Sequence, residues 1–308
     1  MPLLEARSQL AAKVESTEGT AETLSATDAV LARAVTYDPD IEVEELDLQS
    51  SSLSPFAGAA GGRMARMTFE CELKGSGTAG TPPEIGKLIR ACGFEETIVG
   101  GTSVTYDPAS DSIPSLTIAK YVDGKRYLMA GARGNFEIRL AAGKPGIIAF
   151  DFLGTAIADS DTSLLSGVSY HSTRAQPFQN ASFQIDSYSA IVEAITIATG
   201  NTVELRESVN AAQGYLSAVL SKRLMTMSLN PEDVLIATQD FWDDWESGAL
   251  VAFTATLGAT EGNICTITAP KVQYVKLGQG ERRGMAIYEM DCVLRRDSGD
   301  DEISIAFT

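Results

Sequence analysis

The sequence predicts a mainly β protein made of two consecutive strand-rich units, each with one short flanking α-helix. Three observations carry this. Apolar and polar residues alternate over many short segments, the period of a half-buried strand, and residues 63–75, RMARMTFECELKG, show it most plainly. Helical spacing is confined to two short stretches, while Gly, Pro and Asp punctuate the rest. The same order of features then occurs twice along the chain.

Residues 11–35 open with mixed charge and a Gly19-Thr20 turn, and residues 27–31 fit a short strand or a helical turn equally well. Residues 41–49, IEVEELDLQ, alternate apolar and acidic side chains with one phase slip at Glu44-Glu45, the mark of a bulge. The loop SSSLSPFAGAAGGR follows, about a dozen residues long, a length usually reserved for function. After the strand 63–75, Pro83 opens and Gly93 closes a short helix whose Ile85, Leu88 and Ile89 share one face. Strands are expected at 103–106, 115–122, 125–130 and 134–140. Asp123-Gly124 supplies a two-residue hairpin turn, and AAGKPG turns the last of these into IIAFDFLGTA.

In the second half, residues 191–200 read as a strand, followed by the polar stretch NTVELRESVNAAQG and then by the alternating SKRLMTMSLN. A short amphipathic segment spans 240–248, and strands are expected at 249–257, 263–268, 271–276 and 284–295. RMARMTFECEL corresponds to KRLMTMSLN, the helix ending at Gly93 to the one ending at Gly248, and FEIRLAAGKPGIIAFDFLG to VQYVKLGQGERRGMAIYEMDCVL. These correspondences imply a diverged internal duplication. The first unit with its N-terminal arm is placed at 1–160, a polar linker at 161–184, and the second unit at 185–308.

Lys and Arg total 24 against 41 Asp and Glu, a net charge of −17. That balance argues against a protein that grips nucleic acid, because affinity for phosphate rests on Lys and Arg displacing counterions. An acidic wall instead repels DNA within about one Debye length, roughly 8 Å at physiological salt. No apolar run approaches the roughly 20 residues of a membrane helix, and the N-terminus lacks a secretory pattern, which implies a cytosolic origin.

Catalytic and metal-binding signatures are weak throughout. Cys71, Cys92, Cys265 and Cys292 form no C-x-x-C pair and read as reduced core thiols. The single His171 has no identifiable nucleophile partner. Residues 278–284, GQGERRG, have the wrong spacing for a phosphate loop and precede a strand rather than a helix, so they read as a hairpin. Asp240, Asp243 and Asp244 beside Trp242 and Trp245 read as the solvated face of a helix that buries Phe241 and Trp245. The acidic run 297–302 lacks the alternating ligand spacing of a calcium loop. No enzyme, cofactor or metal site is expected.

Several segments together resemble one family. The opening AAKVESTEGTAETLSATDAVLA is similar to the start of the tail tube proteins of long, non-contractile-tailed phages (siphophages). Residues 41–77 resemble their first long strand, extended loop and returning strand, and PPEIGKLIRACGF their short packing helix. GNFEIRLAAGKPGIIAFDFLGT resembles the closing hairpin with its aromatic-x-aromatic-x-Gly ending, here Phe150, Phe152 and Gly154. The resemblance is closest over about the first 155 residues and looser beyond.

It implies two tandem tail-tube-type β-sandwich or barrel domains, rings containing six such domains, and therefore three chains per ring. It implies a virion tail protein made in the host cytoplasm, whose partners are itself, a tape measure protein, a tail terminator, tail tip proteins and passing DNA, with no membrane insertion. Glu42, Glu44, Glu45, Asp47 and Glu193 are expected to face the lumen. Leu53, Pro55, Phe56 and Arg63 of the first loop, with Glu204, Arg206 and Glu207 of the second, are expected at ring-to-ring contacts. Alternative readings are a hexameric tube protein with a decoration domain, another tube or tail protein, or an acidic carbohydrate-binding module.

Overall fold

The computed structural model describes residues 3–308. Strands dominate the architecture. The first half holds β1 (Ser8–Val14), β2 (Ala29–Val30), β3 (Arg33–Glu44), β4 (Ala59–Glu72), helix α1 (Gly86–Ala91), β5 (Phe94–Val99), β6 (Ser103–Pro108), β7 (Leu116–Val122), β8 (Lys125–Ala141) and β9 (Ile147–Asp161). The second holds β10 (Gln184–Ile185), β11 (Val192–Ala198), β12 (Thr202–Glu207), β13 (Tyr215–Lys222), β14 (Thr226–Pro231), helix α2 (Phe241–Ser247), β15 (Val251–Leu257), β16 (Cys265–Arg282), β17 (Met285–Leu294) and β18 (Ser304–Phe307).

Local chemistry explains the turns and ends. Asp123 and Gly124 both take positive φ, 42° and 105°, as a two-residue turn matched to strand twist requires. Helix α2 starts at Asp240, whose carboxylate accepts the Asp243 N–H at 3.0 Å, and ends at Gly248 in the left-handed region. The open residues 27–31 resolve into a 3-10 turn (Ala26–Asp28) leading into β2.

β1, β5, β10 and β12 stand where no strand was expected. Elsewhere, strands expected as separate pieces run on as one. Residues 125–130 and 134–140 belong to the single strand β8, bent where its register shifts between Ala130 and Arg133. Gly131 sits in that bend at φ 60°, and a Cβ there would lie 2.8 Å from the Ser217 Cα. The segments 263–268 and 271–276 likewise merge into β16, which passes through Pro270 without ending.

One path through the main sheet matters most. Its eight strands run β3-β4-β9-β8-β11-β14-β17-β16, every neighbour antiparallel. It consists of two matched four-strand units, β3-β4-β9-β8 and β11-β14-β17-β16. The registers agree row by row: Thr36–Thr68–Asp151–Asn135 in the first unit corresponds to Ala198–Thr226–Val293–Gln273 in the second. Three rows on, Cys71–Ile148–Ile138 corresponds to Leu229–Met290–Leu277. The long hairpins β8–β9 and β16–β17 occupy equal places.

The units join through β8 and β11, where Ile138 opposes Ile197 and Glu137 opposes Ala198. A second junction pairs β18 with β6. Residues 162–183 carry no helix or strand, only isolated bridges at Phe178 and Pro177.

Inward residues of both units form one continuous core. Phe69, Phe150 and Phe152 stack within it at 5.5–5.9 Å between ring centres, beside α1, and Phe241 of α2 packs edge-on to Tyr274 and Tyr288. Burying side chains of this size contributes about 1.5–3 kcal/mol each. Gly154 closes the aromatic-x-aromatic-x-Gly ending because β9 runs close to β8 there: a Cβ would stand 2.7 Å from the Ala130 carbonyl oxygen.

Candidate assembly surfaces

The eight-strand path turns one face to the core and the other to solvent, since successive side chains alternate. On the solvent face the charges are paired. Arg33 Nε donates to Glu70 at 2.9 Å, and Arg139 reaches both Glu70, at 2.9 Å, and Glu137. Arg66 makes a two-pronged contact with Asp151, its Nε at 2.7 Å, and Asp38 nearby helps raise the guanidinium pKa further. In the second unit Lys276 pairs with Asp291 at 3.4 Å, among Thr196, Thr226 and Ser228. A concavity of about 500 Å³ lies on this face, floored by Ala149 and Ala198 and rimmed by Glu70, Glu137, Arg139 and Asp151.

Both edges of the path are bare. Among the described residues, β3 forms a strand ladder with β4 alone. β16 carries β15 on its other edge only as far as Val272, and residues 273–282 make no backbone hydrogen bond outside their ladder with β17. Unpaired edge N–H and C=O groups are a template for another strand.

Beyond Asp40, β3 and β4 continue past the sheet as a two-stranded arm, with Glu44 paired to Ala59. The arm exposes Ile41, Val43, Leu46, Leu48, Leu53 and Phe56. The second unit has its counterpart in the hairpin β12–β13, and that one is covered. It folds back onto the first unit: Arg63 N–H donates to the Gln213 carbonyl at 2.9 Å, and the Tyr215 hydroxyl donates to Glu42 at 2.6 Å. The Glu42 carboxylate pushes the Tyr215 pKa up to about 12. Glu18 ties the same hairpin to β8, accepting from Ser217 at 2.6 Å and pairing with Arg133 at 2.7 Å. Burial would raise the Glu18 pKa, but the hydrogen bonds from Ser217 and Arg133 outweigh it and hold the carboxyl low.

The residues singled out from sequence fall on these surfaces. Glu42 and Glu44 lie on β3 where it forms the arm, Glu45 and Asp47 in the connection at its tip, and Glu193 at the start of β11 beside Arg282 and Arg283. Leu53, Pro55 and Phe56 belong to the exposed tip, while Arg63 lies on β4 at its base. Glu204, Arg206 and Glu207 sit on β12, a strand where a loop was read, and Arg206 reaches Glu18 at 3.4 Å. Sequence reasoning missed Arg66, Asp151, Glu70 and Arg139, although the alternation in RMARMTFE already put Arg66 and Glu70 on one side of a strand.

The sites read as structural have plain local roles. GQGERRG is the β16–β17 hairpin. Phe241 is buried, Trp245 is half-buried, and Trp242 is exposed. Asp301 accepts the N–H groups of Asp297 and Ser298 at 2.8 Å, which holds its carboxyl down at about 2. Among the described residues, no cluster of three or more His, Cys, Asp or Glu side chains could hold a metal ion, and no helix is long and apolar enough to cross a membrane.

A family model described as phage tail tube protein matches residues 5–301. The chain belongs to the phage tail tube protein family. Its role is therefore that of a structural protein of the virion tail, and the surfaces a tail tube protein needs are those that meet copies of itself and those that line its bore. The match spans both four-strand units, so the tail tube protein comprises the second half as well as the first. No curated protein matches this tail tube protein.

Proposed function

We propose that this tail tube protein builds the tube of a long, non-contractile tail, as stacked three-chain rings through which DNA leaves for the host. One observation carries the reading: a single chain presents two register-matched four-strand units in one sheet with both edges open. Closing such a sheet into a barrel removes its edges. Three chains of eight strands give a 24-strand wall with pseudo-sixfold symmetry. The same matching disfavours six chains with a peripheral second half, because the second unit occupies the wall on equal terms. Electron microscopy of the purified protein tests this: stacked rings with three chains per ring are expected, and a uniform monomer at high concentration refutes it.

The charge-paired face of the sheet is then the lumen wall. A phosphate approaching Arg66 or Arg139 meets a guanidinium whose charge is already matched by a hydrogen-bonded carboxylate, so DNA gains little by stopping there. Glu42, Glu44, Glu45, Asp47 and Glu193 add negative charge along the same conduit. Changing several of these acids to Lys should slow ejection and make it salt-dependent. Unchanged speed and salt dependence would remove them from the lumen.

The exposed arm tip with Leu53, Pro55 and Phe56, and the β12 residues Glu204, Arg206 and Glu207, are the contacts proposed between successive rings. A tape measure protein inside the growing tube, with a terminator and a tip complex at its ends, completes the set of partners.

A further inference from the structure

We propose that the seam between neighbouring chains repeats the seam inside one chain: the free edge of β3 pairs antiparallel with the free edge of β16 on the next copy, in one defined register that sets Thr36 opposite Lys276. This rests on the ring reading above and fixes its contact.

The register follows from the internal match. Glu137 of β8 and Lys276 of β16 occupy the same row, as do Ile138 and Leu277. Ala198 of β11 and Thr36 of β3 are likewise equivalent, being the partners of Thr226 and Thr68. Inside the chain Ala198 opposes Glu137 and Ile197 opposes Ile138. Carrying that pairing to the bare edges sets Thr36 against Lys276, and Val35 against Leu277.

Burial agrees with the assignment. Ile138 and Ile197, at the covered seam, are buried to 0% and 2% exposure. Val35 and Leu277, at the open edges, pack on the core yet stay only partly buried, and Val275 beside them is 46% exposed. The arm points the same way. The β12–β13 hairpin lies across the unit that precedes it in the sheet, covering Tyr215 and Ser217. Its counterpart, the β3–β4 arm, has no preceding unit within the chain and leaves Ile41 and Val43 half exposed. Docked across β16 of the next copy, the base of the arm takes the place there that the β12–β13 hairpin takes on the first unit.

Hydrogen bonding is compatible too. At the internal seam Thr199 N–H donates to the Phe136 carbonyl and Ala142 N–H to the Glu193 carbonyl. That alternation makes Glu137–Ala198 a non-hydrogen-bonded pair, the kind with the closest side chains. Its counterpart, Thr36–Lys276, suits a disulfide. The Val35 carbonyl already accepts from Lys120 at 3.0 Å, and its second lone pair remains for a Leu277 N–H.

The test is a disulfide trap in assembled protein, oxidised with copper phenanthroline. T36C/K276C should give covalent dimers and trimers on a non-reducing gel, with the three-chain circle as the end point, while either single variant gives none. The control A198C/E137C, on the same rows inside the chain, should change mobility without adding mass. Rings that form normally but yield no T36C/K276C cross-link, while the control closes, overturn the seam and leave the tube reading standing. Unmodified protein that never forms rings overturns both. L277P supplies a second route, since it removes an edge N–H: a folded monomer is expected, and normal rings contradict the seam.

Discussion

Asn201 joins elements distant in sequence. Its side-chain amide donates to the carbonyls of Cys92, at 2.8 Å, and Gly134, at 3.0 Å, and its own N–H donates to Asn135 at 2.6 Å. The end of α1, the bend of β8 and the exit from β11 meet there. Asn201→Ala strands two carbonyls, at about 1–3 kcal/mol for each unsatisfied group. Urea denaturation should show a loss of about 2 kcal/mol or more. The four cysteines make a different prediction. All are buried, and burial pushes Cys71, Cys265 and Cys292 up to about 12 and Cys92 well above its ordinary value. As the thiolate is the nucleophile, maleimide at neutral pH should modify none in the native protein and all four in denaturant, read by intact mass.

At the scale of elements, what the sequence disclosed depended on how local the determinant was. The Asp123-Gly124 turn and the short helix between Pro83 and Gly93 were legible because they rest on backbone preferences of residues inside them. β1, with SQLAAKV, and β5, with FEETIV, were not, since their mixed side chains become strand-like only against β7 and β6. Gly131 and Pro270 read as breaks, yet the chain bends or passes through at both because neighbouring strands hold it. The arm, proposed above as the contact between rings, is the element whose removal should separate ring formation from stacking. Replacing residues 46–57 with a two-residue Asn-Gly turn keeps the Glu44–Ala59 end of the ladder. Rings should still form, but tubes should shorten to single rings or short stacks in micrographs.

For the molecule as a whole, net charge and local charge tell different stories. The −17 total suggested repulsion along the bore, whereas on the exposed sheet face Arg33, Arg66, Arg139 and Lys276 are each paired with an acid. Composition could not show this, because pairing depends on strands 85 residues apart, as for Arg66 and Asp151. E70Q/D151N leaves Arg33, Arg66 and Arg139 with less compensation. Particles carrying it should retain DNA at low salt and release it more readily as salt rises, a slope that reports phosphate contacts. Wild-type ejection should show little such slope.

The unlike hairpins of the two units have a consequence for the way a tail grows. Within the proposed three-chain ring, a short hairpin clamped by Tyr215 and Glu18 would alternate around the rim with a long, greasy-tipped arm. A newcomer disc therefore meets a surface that repeats every 120° rather than every 60°. In that proposed assembly half of the conceivable rotational settings bring mismatched tips together, so the helical twist of the tail should be selected by this alternation, one layer at a time.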